Sequence, residues 1–355
     1  IGMKVVGITG SVGKSTTKEM VASVLATTYR VSKTPVNHNN DIGMPMAILA
    51  MPEDTEVAVL EMGMNHFREI AYLSNIGQPD VGVIVNIGTM HIEHLGSMEG
   101  ILQAKLEILE GMKPDGKLIL NGDDSLLWNL HRQAAKQPIY FGQSNTDCAV
   151  VGKDVQQNEN LLQFRVRAKD SEFAVELALE GVHYVPDALA AVAVGLEFGV
   201  DPQKICHSLA QFETMAGRQE IRQVNGMTVI CDYYNAGPES MAAALDVLGN
   251  KTGRRIAVLG DMLELGAVSE SAHKNIGKTA AALGIERLFT FGKAAKYIAE
   301  GAIKAGMAAD AVTVIEDTED AEAAAKRIGE QIKKEDAILF KASRGIALER
   351  VIKFL

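Results

Sequence analysis

Near the start of the chain an apolar run, Val5-Val6-Gly7-Ile8, breaks into Thr9-Gly10-Ser11-Val12-Gly13-Lys14-Ser15 and then a helix-like stretch. A strand, a glycine-rich turn and a helix in that order form a phosphate cradle. The two glycines let the backbone fold tightly, so that successive N–H groups point into one concavity, and the helix adds the positive end of its dipole. Lys14 is placed to reach the outer phosphates, and the Ser15 hydroxyl to bind the magnesium that travels with them. The general phosphate-loop pattern wants a glycine where Ile8 stands; Gly10 takes over that work one turn later. A Gly-Lys-Ser triplet alone also suits an ordinary strand-turn-helix junction. The β-rich run before it and Thr16, Thr17, Lys18, Glu19 and Met20 after it favour nucleotide binding.

Such a unit needs parallel neighbours, and the following sequence supplies them. Strands are expected at Val5 to Thr9, Val57 to Glu61, Val81 to Ile87, Lys117 to Leu120 and Pro138 to Phe141. Helices are expected between them near Thr16 to Thr27, Phe67 to Ile76, Met98 to Met112 and Ser125 to Ala135. This alternation implies a mostly parallel sheet covered on both faces, with ligands at the carboxyl ends of the strands. From Cys148 to Leu179 the pattern becomes period-two, as in Leu162, Phe164, Val166 and Phe173, Val175, Leu177, which reads as a small antiparallel excursion. Helical signal returns at Pro186 to Phe198 and Pro202 to Phe212. Glycine punctuation from Gly217 to Gly226 places a boundary there, giving expected domains 1–218 and 219–355.

The second domain alternates again. Strands are expected at Thr228 to Cys231, Ile256 to Leu259, Arg287 to Phe291, Val312 to Ile315 and Ala337 to Phe340. Helices are expected at Pro238 to Leu248, Ser269 to Leu283, Ala294 to Ala305, Thr318 to Lys334 and Ile346 to Phe354. The fold class is therefore α/β throughout: a phosphate-loop ATPase domain followed by a Rossmann-like one.

With 355 residues, 47% of them hydrophobic and 23% charged, the chain is long enough for two cores and has a soluble globular composition. A net charge of −10 argues against a nucleic-acid partner bound through a general basic surface, so anionic ligands must be met by local pockets. Cys148, Cys206 and Cys231 lie far apart with no CxxC, which indicates neither a disulfide framework nor a zinc cluster, and a reducing cytoplasm is the simplest home. No apolar stretch reaches the length of a membrane span, and no signal peptide is evident. Lys4 already enters a strand, so a portion preceding Ile1 is expected.

Charged residues that interrupt apolar patterns are the next candidates. Glu61 ends the run Val57-Ala58-Val59-Leu60, where a carboxylate can hold magnesium directly or through water; a charge simply leaving the sheet is the plain alternative. His91 follows Val83-Ile84-Val85-Asn86-Ile87 and faces the same crevice, with Glu93 and His94 nearby. Lys105 breaks an apolar helix face running Ile101, Lys105, Ile108, Met112, and snorkelling to water is its bland account. Asn37-His38-Asn39-Asn40-Asp41 can bond an amide or carboxylate, although a plain turn cluster fits as well. In the second domain, Asp232-Tyr233-Tyr234-Asn235, Gly260-Asp261-Met262 and Lys341-Ala342-Ser343-Arg344-Gly345 each follow a strand, as loops around a ligand crevice would. Helix capping explains each of them separately.

Taken in order, these segments resemble the Mur ligase family over nearly the whole chain. The carriers are Thr9 to Ser15, Asn37 to Pro45, Glu61-Met62-Gly63, His91 through Lys105, Gly217-Arg218, Asp232 through Met241, Leu259 through Gly266 with His273, and Lys341 to Gly345. The resemblance implies an ATP-dependent amide ligase of cell-wall synthesis, cytoplasmic and monomeric, with no nucleic acid or membrane as partner. ATP would sit on Gly10, Ser11, Val12, Gly13, Lys14, Ser15 and Thr16, with one Mg2+ held by Ser15 and Glu61 and a second near His91. The lysine matching Lys105 is often carbamylated in the family, which turns it into a metal-binding carboxylate. Arg218 would meet ATP phosphate and Asp232 the ribose, with Tyr234 and Asn235 on the same nucleotide-facing loop. The subgroup most resembled passes the γ-phosphoryl group to a UDP-muramoyl tripeptide, and the amine of D-alanyl-D-alanine then attacks the acyl phosphate. Asn37, Asn39, Asn40, Asp261, Lys341, Ser343 and Arg344 would contact these substrates.

The sequence also departs from the family. Tyr184 and Asp187 stand where asparagines are usual after His183, in the segment resembling the adenine contact; Gly237 replaces another asparagine. The N-terminal domain that grips the uridine nucleotide in the family has no counterpart, and a fragment is the expected reason. A related ligase joining an amine to a different carboxylate is the alternative enzyme. A nucleotide-binding switch has little use for His91, Lys105 and Arg218, and a dinucleotide oxidoreductase lacks its Gly-x-Gly-x-x-Gly.

Overall fold

The computed structural model describes residues 2–132, 137–169 and 171–354. The chain divides into two compact units, Ile1–Glu213 and Thr214–Leu355.

The first unit is built on a nine-stranded sheet. Its strands are β1 (Lys4–Thr9), β2 (Val31–Lys33), β3 (Val57–Glu61), β4 (Val81–Ile84), β5 (Lys117–Asn121), β6 (Ile139–Gly142), β7 (Val150–Asn158), β8 (Leu161–Ala168) and β9 (Ser171–Leu177). They lie in the order β2-β3-β1-β4-β5-β6-β7-β8-β9. Neighbours run parallel from β2 as far as β7, and β8 and β9 join antiparallel, which is the mostly parallel sheet with an antiparallel excursion that the sequence predicts. Central strands are apolar without interruption because both faces are covered. Val6 and Ile8 pack with the Lys14–Ala26 and Tyr184–Glu197 helices on one side. Val5, Ala58 and Leu60 pack with the Glu69–Gly77 and Met98–Leu106 helices on the other.

Several elements differ from expectation for local reasons. β4 stops at Ile84, not Ile87, because the N–H of Ile87 is taken by Asp124 Oδ2 at 2.7 Å and the chain leaves the sheet. The expected Met98 to Met112 helix divides at Glu107 into Met98–Leu106 and Ile108–Gly111. The buried Glu107 carboxylate is turned to the Glu69–Gly77 helix, where it accepts from the N–H groups of Arg68 at 2.7 Å and Ala71 at 3.2 Å. The expected Ser125 to Ala135 helix is a short α segment, Ser125–Trp128, and a 3-10 turn, Asn129–Arg132; its remaining positions lie outside the described residues. β2 and the Gly43–Leu49 helix are additional, both too short to show a period.

The second unit holds a six-stranded sheet. Its strands are β10 (Glu220–Val224), β11 (Met227–Cys231), β12 (Arg255–Gly260), β13 (Arg287–Phe291), β14 (Val312–Ile315) and β15 (Ala337–Lys341), in the order β10-β11-β15-β12-β13-β14. All pairs are parallel except β10 with β11. The stretch Gly217 to Gly226, read as punctuation, therefore contains an edge strand. A tight turn at Asn225 and Gly226, with φ of 51 and 81, closes that hairpin.

The Ser269–Ala282 and Lys296–Lys304 helices cross at glycines: a Cβ on Gly277 would lie 2.0 Å from Ile298 O, and one on Gly301 2.1 Å from Lys274 O. Gly277→Ala is expected to destabilise the protein by about 1–3 kcal/mol, as overpacking does, and an unchanged denaturation midpoint would show that the crossing yields freely. Wholly buried His273 bonds Ser269 O through Nδ1 at 2.7 Å and accepts the Met262 N–H at Nε2 at 3.0 Å. A backbone N–H only donates, so Nε2 is unprotonated. Burial pushes the His273 pKa below its ordinary 6.5, against smaller opposing effects of the Ser269 carbonyl and Asp261. The folded value lies below the unfolded one, so this contribution is fully present above 6.5 and is lost as pH falls through the folded value. Thermal unfolding from about pH 7 to 5 should show a fall in midpoint that His273→Gln flattens; parallel curves would remove His273 from the acid limb.

Candidate active site

Sheet register gathers the candidates of the first unit. β1 pairs with β3 so that Ile8 lies beside Glu61, and with β4 so that Thr9 lies beside Ile84. The three strands run the same way, so the glycine loop, Glu61 and the segment after Ile84 open at one edge, where parallel sheets bind ligands. Gly13, with φ of 85, turns the loop into the Lys14–Ala26 helix. Its first-turn N–H groups, from Lys14 through Thr16, have no carbonyl of their own helix to bond. Lys14 folds its ammonium back over the loop, donating to Gly10 O at 2.8 Å and Ser11 O at 3.2 Å.

Glu61 is the centre of the arrangement. Its Oε2 accepts from Ser15 Oγ at 2.8 Å and its Oε1 from Asn39 Nδ2 at 2.8 Å, while Lys18 Nζ stands 3.8 Å from Oε2. Its own N–H donates to Thr34 Oγ1 at 3.0 Å. Lys18 is fully buried, held by Thr34 O at 2.9 Å and the Glu19 carboxylate at 3.1 Å, and Glu19 in turn pairs with Lys33. Ser15 and Glu61 are both buried and offer hard oxygen donors, the set that suits Mg2+. Among the described residues no cluster of three or more His, Cys, Asp and Glu could cage a metal.

Lys105 is 2% exposed, so it does not snorkel. Burial first, and then the positive charge of Lys14, hold its pKa well below the ordinary 10.5. The structure thus brings the loop lysine and the helix lysine within electrostatic reach of each other. His91 lies beyond the end of β4, with φ of 64, at the start of the short Ile92–Leu95 helix. Asp187 is buried; its Oδ1 accepts from Thr17 Oγ1 at 2.7 Å and lies where a Cβ on Gly13 would come within 2.4 Å of it. Its carboxylate is directed at the start of the loop's helix. Of the asparagines expected to meet substrate, Asn39 faces Glu61, and Asn40 caps the Gly43–Leu49 helix through the Gly43 N–H at 2.7 Å. Asn37 holds a turn with φ of 68.

In the second unit the polar strand-end loops are stitched to one another. Lys341, expected against a substrate, is instead the buried counter-ion of Asp232: Nζ donates to Asp232 Oδ2 at 2.6 Å and to Asn235 O at 3.1 Å. The other Asp232 oxygen accepts the Gln219 N–H at 3.1 Å. Ser343 is buried as well, donating to Ala236 O at 3.1 Å and accepting the Leu263 N–H at 2.9 Å. Asp261 takes the Ala295 N–H at 2.6 Å, at the start of the Lys296–Lys304 helix. Arg218, Tyr234 and Arg344 are more open. The Arg218 guanidinium lies 3.8 Å from the Tyr234 ring centroid and that of Arg344 lies 6.0 Å from it.

Sequence reasoning counted Thr17 and Lys18 only as part of the stretch after the loop, and gave Thr34 and Asn86 no role. Two of them carried a signal. Lys18 lies four residues after Lys14 and so on the same helix face, and Asn86 is the one polar residue in the apolar run from Val83 to Ile87.

Residues 8–195 match the Mur ligase middle domain, and residues 217–344 match the Mur ligase, glutamate ligase domain. The UDP-N-acetylmuramoyl-tripeptide--D-alanyl-D-alanine ligase of Bacillus subtilis (strain 168) is 43% identical over 358 residues, covering 100% of this chain and 76% of that protein. The Escherichia coli (strain K12) protein of the same name is 32% identical, covering 99% of this chain and 76% of its own length. A crystal structure of MurF from Acinetobacter baumannii superposes with a TM-score of 0.90 at 32% identity, covering 99% of this chain and 76% of that one. MurF ligase from Thermotoga maritima in complex with ADP gives 0.86 at 31% identity, covering 100% and 79%. Across both units, then, the phosphate loop, the acidic strand end and the stitched second crevice occur in one continuous match, and the chain belongs to the Mur ligase family.

Proposed function

We propose that this chain is an ATP-dependent ligase that adds D-alanyl-D-alanine to UDP-N-acetylmuramoyl-tripeptide in peptidoglycan precursor synthesis. The observation that carries the reading is the match at 43% identity, along the whole chain, to a relative bearing that name. The geometry of Ser15, Glu61 and Lys105 supports it. In this reading the γ-phosphoryl group of ATP passes to the terminal carboxylate of the tripeptide, giving an acyl phosphate and ADP. The dipeptide amine attacks the acyl carbon, phosphate leaves with the bonding electrons, and the nitrogen loses a proton to give the amide.

Lys14 steadies the outer phosphates, and the loop from Gly10 to Thr16 orients them, so that positioning and charge neutralisation provide most of the catalysis. Ser15 and Glu61 would hold Mg2+, with a second ion assigned to His91 and Lys105; bound there, Mg2+ supplies charge neutralisation at the phosphoryl oxygens. Lys18 and Asn39 keep the Glu61 carboxylate in place. The depressed pKa of Lys105 favours the neutral amine, the form that adds to carbon dioxide with loss of a proton to give a carbamate. In the second unit, Arg218 is assigned to phosphate, and Asp232, oriented by Lys341, to ribose. The protein is read as a cytoplasmic monomer. No helix among the described residues is long and apolar enough to cross a membrane.

With ATP, the UDP-muramoyl tripeptide and D-alanyl-D-alanine, the purified protein should release phosphate in step with amide product; release only with another acceptor pair would overturn the substrate assignment. Lys105→Ala should abolish ligation while leaving ATP binding largely intact, with partial rescue by short carboxylates, and an unchanged rate would return Lys105 to a packing role. Lys105→Met replaces a buried amine, whose ammonium form burial and Lys14 both oppose, by an apolar chain of similar length, so it should also raise the thermal midpoint, by about 2–8 °C.

A further inference from the structure

The phosphate loop is braced from outside itself. Asn86, two residues beyond the end of β4, accepts at Oδ1 from the N–H groups of Ser11 at 3.0 Å and Val12 at 2.9 Å, and donates from Nδ2 to Val12 O at 2.9 Å. Its backbone carbonyl takes a further, longer bond from the Ser11 N–H at 3.2 Å. Gly88 and Ser11 are joined twice, the Gly88 N–H donating to Ser11 Oγ at 2.8 Å and that hydroxyl donating to Gly88 O at 3.2 Å. A primary amide accepts and donates from one rigid plane, so a single side chain can span both faces of a turn; an alanine or serine at the same place cannot.

We propose that Asn86 is a positioning residue for nucleotide binding, holding Ser11 and Val12 so that the loop from Gly13 onward faces the phosphates. The inference rests on the reading that this loop binds ATP. Two observations lead to it. The loop lacks the glycine that begins the general phosphate-loop pattern, because Ile8 is still a buried strand residue paired with Glu61. Its turn is therefore short, and the amide of Asn86 closes it from the segment that follows the neighbouring strand. Second, the N–H groups of Ser11 and Val12 are engaged by this brace, so the cradle is narrower than the sequence motif suggests and is made by the helix's first turn. Asn86 touches the loop and acts on the nucleotide only through it.

The test compares the purified protein with Asn86→Ala and Asn86→Ser by calorimetric titration with ATP, ADP and ITP, together with steady-state kinetics and thermal unfolding. Loss of the brace should weaken all three nucleotides by about tenfold or more. The ATP-to-ITP ratio and the KM for D-alanyl-D-alanine should stay as in the unsubstituted protein, because the brace acts on phosphates and not on the base or the acceptor. The thermal midpoint should move by less than about 4 °C. Undiminished or tighter ATP binding by the variants would overturn the inference alone, tighter binding meaning that Asn86 competes with the phosphates. A changed ATP-to-ITP ratio, or a large fall in midpoint with every substrate affected alike, would also overturn it. An unsubstituted protein that binds no ATP would overturn the parent reading and this inference with it.

Discussion

The candidate site depends on the parallel pairing of β1 with β3 on one side and β4 on the other. Side chains alternate across a strand, so a slip of one residue would turn every one of them to the opposite face. Here the register sets Ile8 beside Glu61 and Thr9 beside Ile84. It is fixed by apolar residues that take no part in chemistry: Val6 and Ile8 belong to one core, and Val5 and Leu60 to the other. The 2.8 Å contact between Ser15 and Glu61 is thus a consequence of core packing at a distance. Burial of Val57 through Leu60 on both sides also explains why Glu61 projects where it does, as the first charged residue the sheet releases.

Buried lysines are handled in two physically different ways. Lys18 is fully enclosed but answered by a carbonyl and by carboxylate groups, and it orders what surrounds it. In the second unit Lys341 is treated likewise by Asp232 and the Asn235 carbonyl. Lys105 has the opposite setting, with burial and a like charge both acting against the ammonium. The first arrangement makes a lysine a rigid strut. The second works against the ammonium itself.

Much of the architecture was legible because it is written in periodicity. β3, β13 and β14 have the bounds that the sequence pattern predicts, and the antiparallel excursion follows from strict alternation at Leu162, Phe164 and Val166. Elements of a few residues, such as β2, have no room for a period, and the Met98 to Met112 helix was divided by a tertiary cap at Glu107 that local sequence does not encode. In the site, Glu61 and Lys105 were legible as charges breaking apolar patterns. Their surroundings were not: Asn39 reaches Glu61 across 22 residues and Lys341 reaches Asp232 across 109. Periodicity assigned Lys105 to a face but carried no information about depth, so snorkelling and full burial were equivalent until packing was known.

The second unit shows the corresponding limit for polar loops. Residues following parallel strands are polar for either of two reasons, to hold one loop to the next or to meet a ligand, and both give the same sequence. Ser343 and Asp261 hold loops together, since each is buried and bonded to the backbone of a neighbouring loop or helix. Arg218, Tyr234 and Arg344 are left as the more open group, with the aromatic ring limiting the orientations of the Arg218 guanidinium. Asn86 holds a loop in the same way in the other unit, and it shows that this role is not functionally inert. A side chain that closes its neighbour's loop decides which N–H groups are left to face a ligand, and so it shapes binding without touching what is bound.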